Sequence, residues 1–225
     1  MISFLFVRSF HELLILANKT TAVSSPDTYQ SIKKTAEGLY KEKGSKFLAF
    51  AIPVKSAEQA KTKIQELRET HPKAVHVCFA WRIGTEQALE RFSDDGEPNN
   101  SAGKPIFGQI NAFELTNILL AVVRYYGGTK LGVGGLITAY KTAAKTALDA
   151  AEIIEQIESV EAIIRFDPKN TGDLMSRLNK EQINIEDHTA DANGHFVKVS
   201  LPKSEADKFI NNLAAFPYYK IETTK

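Results

Sequence analysis

The stretch Ile118-Leu-Leu-Ala-Val-Val-Arg-Tyr-Tyr-Gly-Gly-Thr-Lys-Leu-Gly-Val-Gly-Gly-Leu136 passes from a near-continuous apolar run into a segment with five glycines. An apolar run of this length, ended by glycines, reads as a strand buried on both faces. From Leu136 to Asp149 the chain is alanine-rich with apolar residues at helical spacing, and it reads as a helix. Strand, glycine loop and helix in that order can present backbone N–H groups and a helix N-terminus to an anion. No residue from Leu115 to Leu148 is acidic, whereas Arg124, Lys130, Lys141 and Lys145 are basic, so a phosphate is attracted here. Gly127, Gly128, Gly132, Gly134 and Gly135 match neither the P-loop nor the dinucleotide-binding spacing. Two readings stay open for them: contact with a phosphate, or positive φ and close helix–sheet packing.

Upstream, Thr35–Lys43 and Phe47–Val54 are strand candidates on either side of Gly44-Ser45. Ser56-Ala-Glu-Gln59 is a capping box that opens a charged amphipathic helix to about His71, stopped by Pro72. Ala74 to Ile83 reads as a third strand, and Ser93 to Lys104 as an acidic turn segment. Downstream, Ser159–Phe166 is a strand followed by Asp167-Pro168, an N-cap and a first-turn proline. Leu174, Met175 and Leu178 then recur at helical spacing. Ile183–Thr189 and His195–Leu201 alternate with period two across Asp191-Ala-Asn-Gly194, a hairpin signal. Ser204 with Asp207 reads as the cap of a second helix through Phe209, Ile210 and Leu213, and Tyr218–Glu222 closes the sheet. The order βαββαβ is the ferredoxin-like pattern. The expected fold class is α+β: an extension over 1–26, a first domain over 27–152 and a smaller ferredoxin-like domain over 155–225.

A chain of 225 residues with 43% hydrophobic and 24% charged residues is an ordinary globular sequence with room for one or two domains. Its one cysteine, Cys78, excludes an internal disulfide framework. The net charge of +1 is unevenly spread. Residues 155–225 hold nine Lys/Arg against twelve Asp/Glu, a balance of −3, which leaves +4 for the residues before them. Attraction to nucleic acid is therefore assigned to the first part of the chain. The apolar tract Leu13–Ala17 is far too short to span a membrane. With Arg8 alone as its basic flank and His11-Glu12 interrupting it, the tract also makes a poor signal peptide. A cytoplasmic protein without a membrane partner is the expectation.

Asp94-Asp-Gly-Glu97 puts three carboxylates within four residues. Asp94, Asp95 and Glu97 can hold Mg²⁺, can bond local backbone N–H groups, or can pair with Arg124 or Lys104. Lys41, Lys43 and Lys46 surround Gly44-Ser45 and suit phosphate contact, with a solvated turn as the plain alternative. Tyr125, Tyr126 and Tyr140 can stack on bases or pack in a core. His76 and Cys78 share a strand face, but no third group orients them, and a cysteine between Val77 and Phe79 reads as core.

On these residues the chain resembles the YigZ/IMPACT family. The matching stretches are Glu37-Gly-Leu-Tyr-Lys-Glu-Lys-Gly-Ser-Lys-Phe47, Asp94-Asp-Gly-Glu-Pro98, Ala102-Gly-Lys-Pro105 and the run from Arg124 to Leu136. With the C-terminal part, the resemblance covers nearly everything from Asp27 onward. Asn99-Asn-Ser101 departs from the Ser-Gly-Thr of many members. The resemblance implies a first domain like the second domain of a small-subunit ribosomal protein, a fold shared with elongation factor G and GHMP kinases. It implies a ferredoxin-like domain after it, and a translation-linked or nucleic-acid-binding role. Eukaryotic IMPACT proteins add an N-terminal RWD module that is not read in this sequence, so that module's partner is not expected to transfer.

The leading expectation is a non-enzymatic RNA- or ribosome-associated protein linked to regulation of translation. Its phosphate-binding set is Lys41, Lys43, Lys46, Arg124, Tyr125, Tyr126, Lys130 and the five glycines. The rival is a metal-dependent phosphoryl-transfer or nucleotide-binding enzyme with Mg²⁺ on the acidic turn. A protein-binding adaptor is the third reading, and the sequence assigns no oligomeric state.

Overall fold

A computed structural model describes residues 27–224; the extension assigned to 1–26 lies outside them. The first part is a five-stranded antiparallel sheet in the order β2-β3-β6-β4-β5. Its strands are β2 (Ala36–Glu42), β3 (Ser45–Pro53), β4 (His76–Ile83), β5 (Leu89–Ser93) and the central β6 (Ile118–Tyr125). Seven of the eight residues of β6 are buried, as its apolar run requires. One face of the sheet packs on α1 (Ala57–Thr70), through Ile64 and Leu67 against Val77, Phe79 and Trp81. The other face packs on α2 (Gly103–Ala112) and α3 (Gly132–Asp149), through Ile106, Tyr140 and Ala143 against Phe47, Ala49 and Val122.

Local signals set several ends. Ser56 Oγ accepts from the Gln59 backbone N–H at 3.2 Å, and the Gln59 side chain reaches back to the N–H of Lys55 at 2.7 Å. Gly38 has no room for a side chain, because an added Cβ would lie 2.5 Å from the Ala147 nitrogen of α3. That close approach lets α3 lie directly on β2.

β1 (Thr28–Ile32) and β7 (Ile153–Ile157) form a separate antiparallel ribbon, Thr28 opposite Ile157. Beyond it lies the βαββαβ unit: β8 (Ser159–Phe166), α4 (Thr171–Lys180), β9 (Asn184–Asp191), β10 (Gly194–Pro202), α5 (Lys203–Ala214) and β11 (Tyr219–Thr224). Its sheet order is β11-β8-β10-β9, all antiparallel. Ile164, Val197 and Val199 face Leu174, Leu178 and Leu213 of the two helices. The chain is thus α+β throughout. Asp167 caps a short 3₁₀ turn over Pro168–Asn170 that leads into α4.

Ser204 is not a cap. α5 begins at Lys203, and the backbone N–H of Ser204 donates to the Asp27 carboxylate at 2.9 Å. A carboxylate 177 residues upstream in sequence thus takes the exposed N-terminal donor of α5. Lys203 pairs with Glu158 and with Glu86, tying the same corner to the loop after β4.

Candidate nucleic-acid interface

Period-two alternation sends consecutive side chains of β6 to opposite faces. Arg124 points to the α3 side, where it is only 6% exposed. Its Nη1 donates to Glu97 Oε1, and Glu97 is 8% exposed. The same oxygen accepts from the Tyr140 hydroxyl at 2.7 Å. The guanidinium lies over the rings of Phe47 and Tyr126, at 5.4 and 5.6 Å from their centroids. Its Nε is buried with no acceptor among the described residues. Burial, with the neighbouring thiol and Glu97, pushes the Tyr140 phenol far above its ordinary range, so it remains a donor.

The acidic turn does not converge on a cation. Asp94 accepts from the backbone N–H groups of Asn100, Ala102 and Gly103 at 2.8–2.9 Å, closing the turn and capping α2 where Ala102 cannot. Asp95 accepts from the Val77 N–H and from Arg68, each at 2.6 Å. Glu97 is committed to Arg124 and Tyr140. The Mg²⁺ reading of Asp94, Asp95 and Glu97 is therefore corrected: each carboxylate turns to its own protein donors. Among the described residues no His, Cys, Asp or Glu cluster suits a metal ion. Of the three roles open to the turn, pairing with Arg124 is the one Glu97 takes, and local backbone bonding is the one Asp94 takes. Hard-cation binding needs several free carboxylate oxygens near one another, and of these three side chains only Glu97 Oε2 lacks a protein donor among the described residues.

His76 sits between the turn and the glycine loop. Its Nδ1 lies 2.7 Å from the Asp95 carbonyl, which can only accept, so Nδ1 carries the proton. Nε2 is left 3.9 Å from Glu97 Oε1. Cys78 is fully buried, its Sγ 3.1 Å from the Asp94 carbonyl. Burial and the nearby carboxylates push its thiol far up, which disqualifies it as a nucleophile.

The glycines divide by cause. An added Cβ on Gly127 would lie 1.9 Å from the Gly44 carbonyl carbon, so the loop and the β2–β3 turn touch through two glycines. The Gly127 N–H also donates to Ser45 Oγ at 3.1 Å. Gly128 and Gly132 have φ of +86° and +72°. Gly135 would press only on Leu131, and Gly134 has neither a positive φ nor a neighbour within 4 Å. The first turn of α3 thus has no side-chain cap from Leu131, and among the described residues no other side chain accepts from its N–H groups.

The lysines and tyrosines are split around the strand ends. Lys46 faces the α1 side with its cross-strand neighbours Lys41 and Tyr125. Tyr125 is half-buried, its hydroxyl 2.8 Å from His71 Nδ1, so it belongs to the packing against α1 and not to the glycine loop. Lys43, at φ +45°, forms the tip of the turn against Gly127. Lys130 and Tyr126 lie on the α3 side. Lys41, Lys43, Lys46 and Lys130 are all exposed, and among the described residues none makes an ion pair. Arg124 is the correction among the basic residues: paired and buried, it braces the loop and presents no free charge. Sequence reading gave Tyr140 no partner, because its acceptor lies 43 residues upstream. It tied His76 only to Cys78, because the contact with Asp95 arises from tertiary packing.

A three-layered α+β unit, helices on both faces of one sheet, carrying a braced glycine loop and followed by a ferredoxin-like unit, is the class defined by this fold and site. The Impact N-terminal domain model matches residues 43–148. An IMPACT family member of Thermus thermophilus is 40% identical over 143 residues, spanning 64% of this chain and 76% of that protein. The Escherichia coli member YigZ is 41% identical over 108 residues, 47% of this chain and 53% of that one. A solved structure described as a hypothetical protein covers 89% of this chain and 99% of its own, with a TM-score of 0.64 at 27% identity. The chain belongs to the IMPACT family. Among its described residues no helix is long and apolar enough to cross a membrane.

Proposed function

We propose that the protein binds RNA, free or in the ribosome, through phosphate contacts along the ends of β2, β3 and β6, and that this binding serves the regulation of translation. The observation that carries the reading is the grouping of exposed lysines without an ion pair around the β2–β3 turn and the glycine loop. Lys41, Lys43, Lys46 and Lys130 are exposed and make no ion pair among the described residues; Lys130 stands beside the uncapped N-terminus of α3, while Lys41 and Lys46 lie on the opposite face of the sheet. In the ferredoxin-like unit Arg165 is held by Asp191 and Glu222, Lys198 by Glu161 and Glu186, and Arg177 by Asp173. Free lysines gain from releasing phosphate counterions, whereas paired ones must first give up a partner. Lys41 and Lys46 are also direct cross-strand neighbours. Like charges in that position repel, and an anion between them removes the repulsion. A single strand crossing from Lys41 and Lys46 over Lys43 to Lys130 meets basic charge at each step. The translation link rests on the family resemblance.

The test compares two triple variants by fluorescence anisotropy with labelled single-stranded RNA at low salt. Changing Lys43, Lys46 and Lys130 to Ala weakens binding by about tenfold or more. Changing the exposed Lys180, Lys208 and Lys220 to Ala leaves it nearly unchanged. Equal losses in both variants would sink the proposed face.

A further inference from the structure

On the α3 side of the basic strip lies a cleft of about 560 Å³. Lys130 and the start of α3 stand at its rim, and Glu97, Arg124 and His76 line its polar part. Phosphate contact gives no reason for its remaining walls. Val75, Tyr126 and Val133 are 56%, 48% and 53% exposed around it, large apolar side chains left in water over a buried ion pair. Grouped apolar exposure above a few convergent polar groups marks a site for a ligand with a flat apolar body and a polar edge.

The polar part is also incomplete. Glu97 Oε1 serves both Arg124 and Tyr140, while no donor among the described residues reaches Oε2. Arg124 Nε is buried without an acceptor. A buried donor left unmatched is costly, and an acceptor brought by a water or a ligand relieves it. The open acceptor and the open donor belong to one carboxylate–guanidinium pair, joined through Glu97 Oε1 and Arg124 Nη1. The hydrogen-bonding edge of every nucleobase likewise sets an N–H beside an acceptor.

We propose that this cleft takes one base of the bound RNA. Its ring lies on Tyr126 and its edge meets Glu97 and Arg124, while its phosphate rests at Lys130 and the bare first turn of α3. The proposal rests on the phosphate-binding reading above and adds the base to it. Because all four bases offer a donor beside an acceptor, little sequence preference follows. The apolar walls and the ion pair together fit a base better than a bare phosphate.

The experiment compares a single-stranded RNA of about twelve nucleotides with an abasic oligomer of the same length and charge, by anisotropy at matched salt. The intact RNA binds at least about fivefold tighter than the abasic oligomer. Tyr126→Ala removes that difference, and Tyr126→Phe keeps it; Trp81 emission confirms that both variants are folded. If wild type binds both oligomers equally and with the same salt dependence, the base cleft is overturned and the phosphate reading stands. A difference that persists in Tyr126→Ala overturns the cleft as the place where the base is held. An effect of the tyrosine change on the abasic oligomer as large as on the intact one does the same, and points to a protein partner for the apolar rim. No binding of either oligomer overturns both readings together.

Discussion

Removing Glu97 should cost more stability than removing Arg124, although each is one half of the same ion pair. Breaking a buried pair from one side typically costs about 3–5 kcal/mol, because the other charge is left uncompensated. Glu97→Ala strands Arg124 between Phe47 and Tyr126 and also takes the acceptor from the buried Tyr140 hydroxyl, so the upper end, about 5 kcal/mol, is expected. Arg124→Ala strands Glu97 less completely. Tyr140 still donates to it, and His76 Nε2 stands 3.9 Å away. About 3 kcal/mol is expected there. The double variant removes both charges together, so its cost should fall short of the sum by about 2 kcal/mol or more. The assay is urea unfolding followed by Trp81, the one tryptophan, which is buried on the α1 side of the same sheet and so reports this unit. Additivity within about 0.5 kcal/mol, or a larger cost for Arg124→Ala than for Glu97→Ala, would refute the bracing role assigned to the pair.

The glycines predict opposite outcomes. Gly127→Ala drives a Cβ into the backbone of Gly44 and should cost about 3 kcal/mol or more by thermal or urea melting. Gly134→Ala meets open space, should raise stability by about 0.5 kcal/mol through helix propensity, and should weaken RNA binding by crowding the first turn of α3. Cys78 should resist a thiol-specific disulfide reagent at pH 8 in the folded protein and react at once in urea; rapid labelling without denaturant would contradict its burial. Burial, then the hydrogen bond to Asp173, pushes the Tyr219 hydroxyl from 10.0 up to about 12. A folded-state value above the unfolded one gives stability that is full below pH 10 and lost as pH rises towards 12. A pH series of melts should therefore fall off in that window, less steeply for Tyr219→Phe.

The ferredoxin-like unit was legible because its signals are local: alternation in β8 and β10, Asp167-Pro168 ahead of the 3₁₀ turn, and Asp191-Ala-Asn-Gly194 at the hairpin. The buried central strand, the glycine loop and α3 were legible for the same reason. What escaped depends on partners far apart in sequence. α2 escaped because Gly103, Pro105 and Gly108 weaken its helical signal, and its cap, Asp94, lies upstream of it in the acidic turn. The β1–β7 ribbon pairs residues more than a hundred positions apart. Ser204 looked like a cap because Asp207 follows it, whereas the exposed N–H belongs to Ser204 itself and Asp27 fills the acceptor role. In the candidate site, composition located the lysines and the acidic turn. It could not separate Arg124 from the free charges, because its burial and its pairing with Glu97 arise only when the turn folds onto the end of β6. Tyr125 was likewise separated from Tyr126 by strand alternation.

The most direct test of the account is the salt dependence of RNA binding. For single strands the slope of log K against log salt is about −0.7 per neutralised phosphate. If Lys43, Lys46 and Lys130 each contact one, changing all three to Ala should make the slope shallower by about 2. A variant that binds single-stranded RNA with the wild-type slope would contradict the claim that phosphates are held at the ends of these strands.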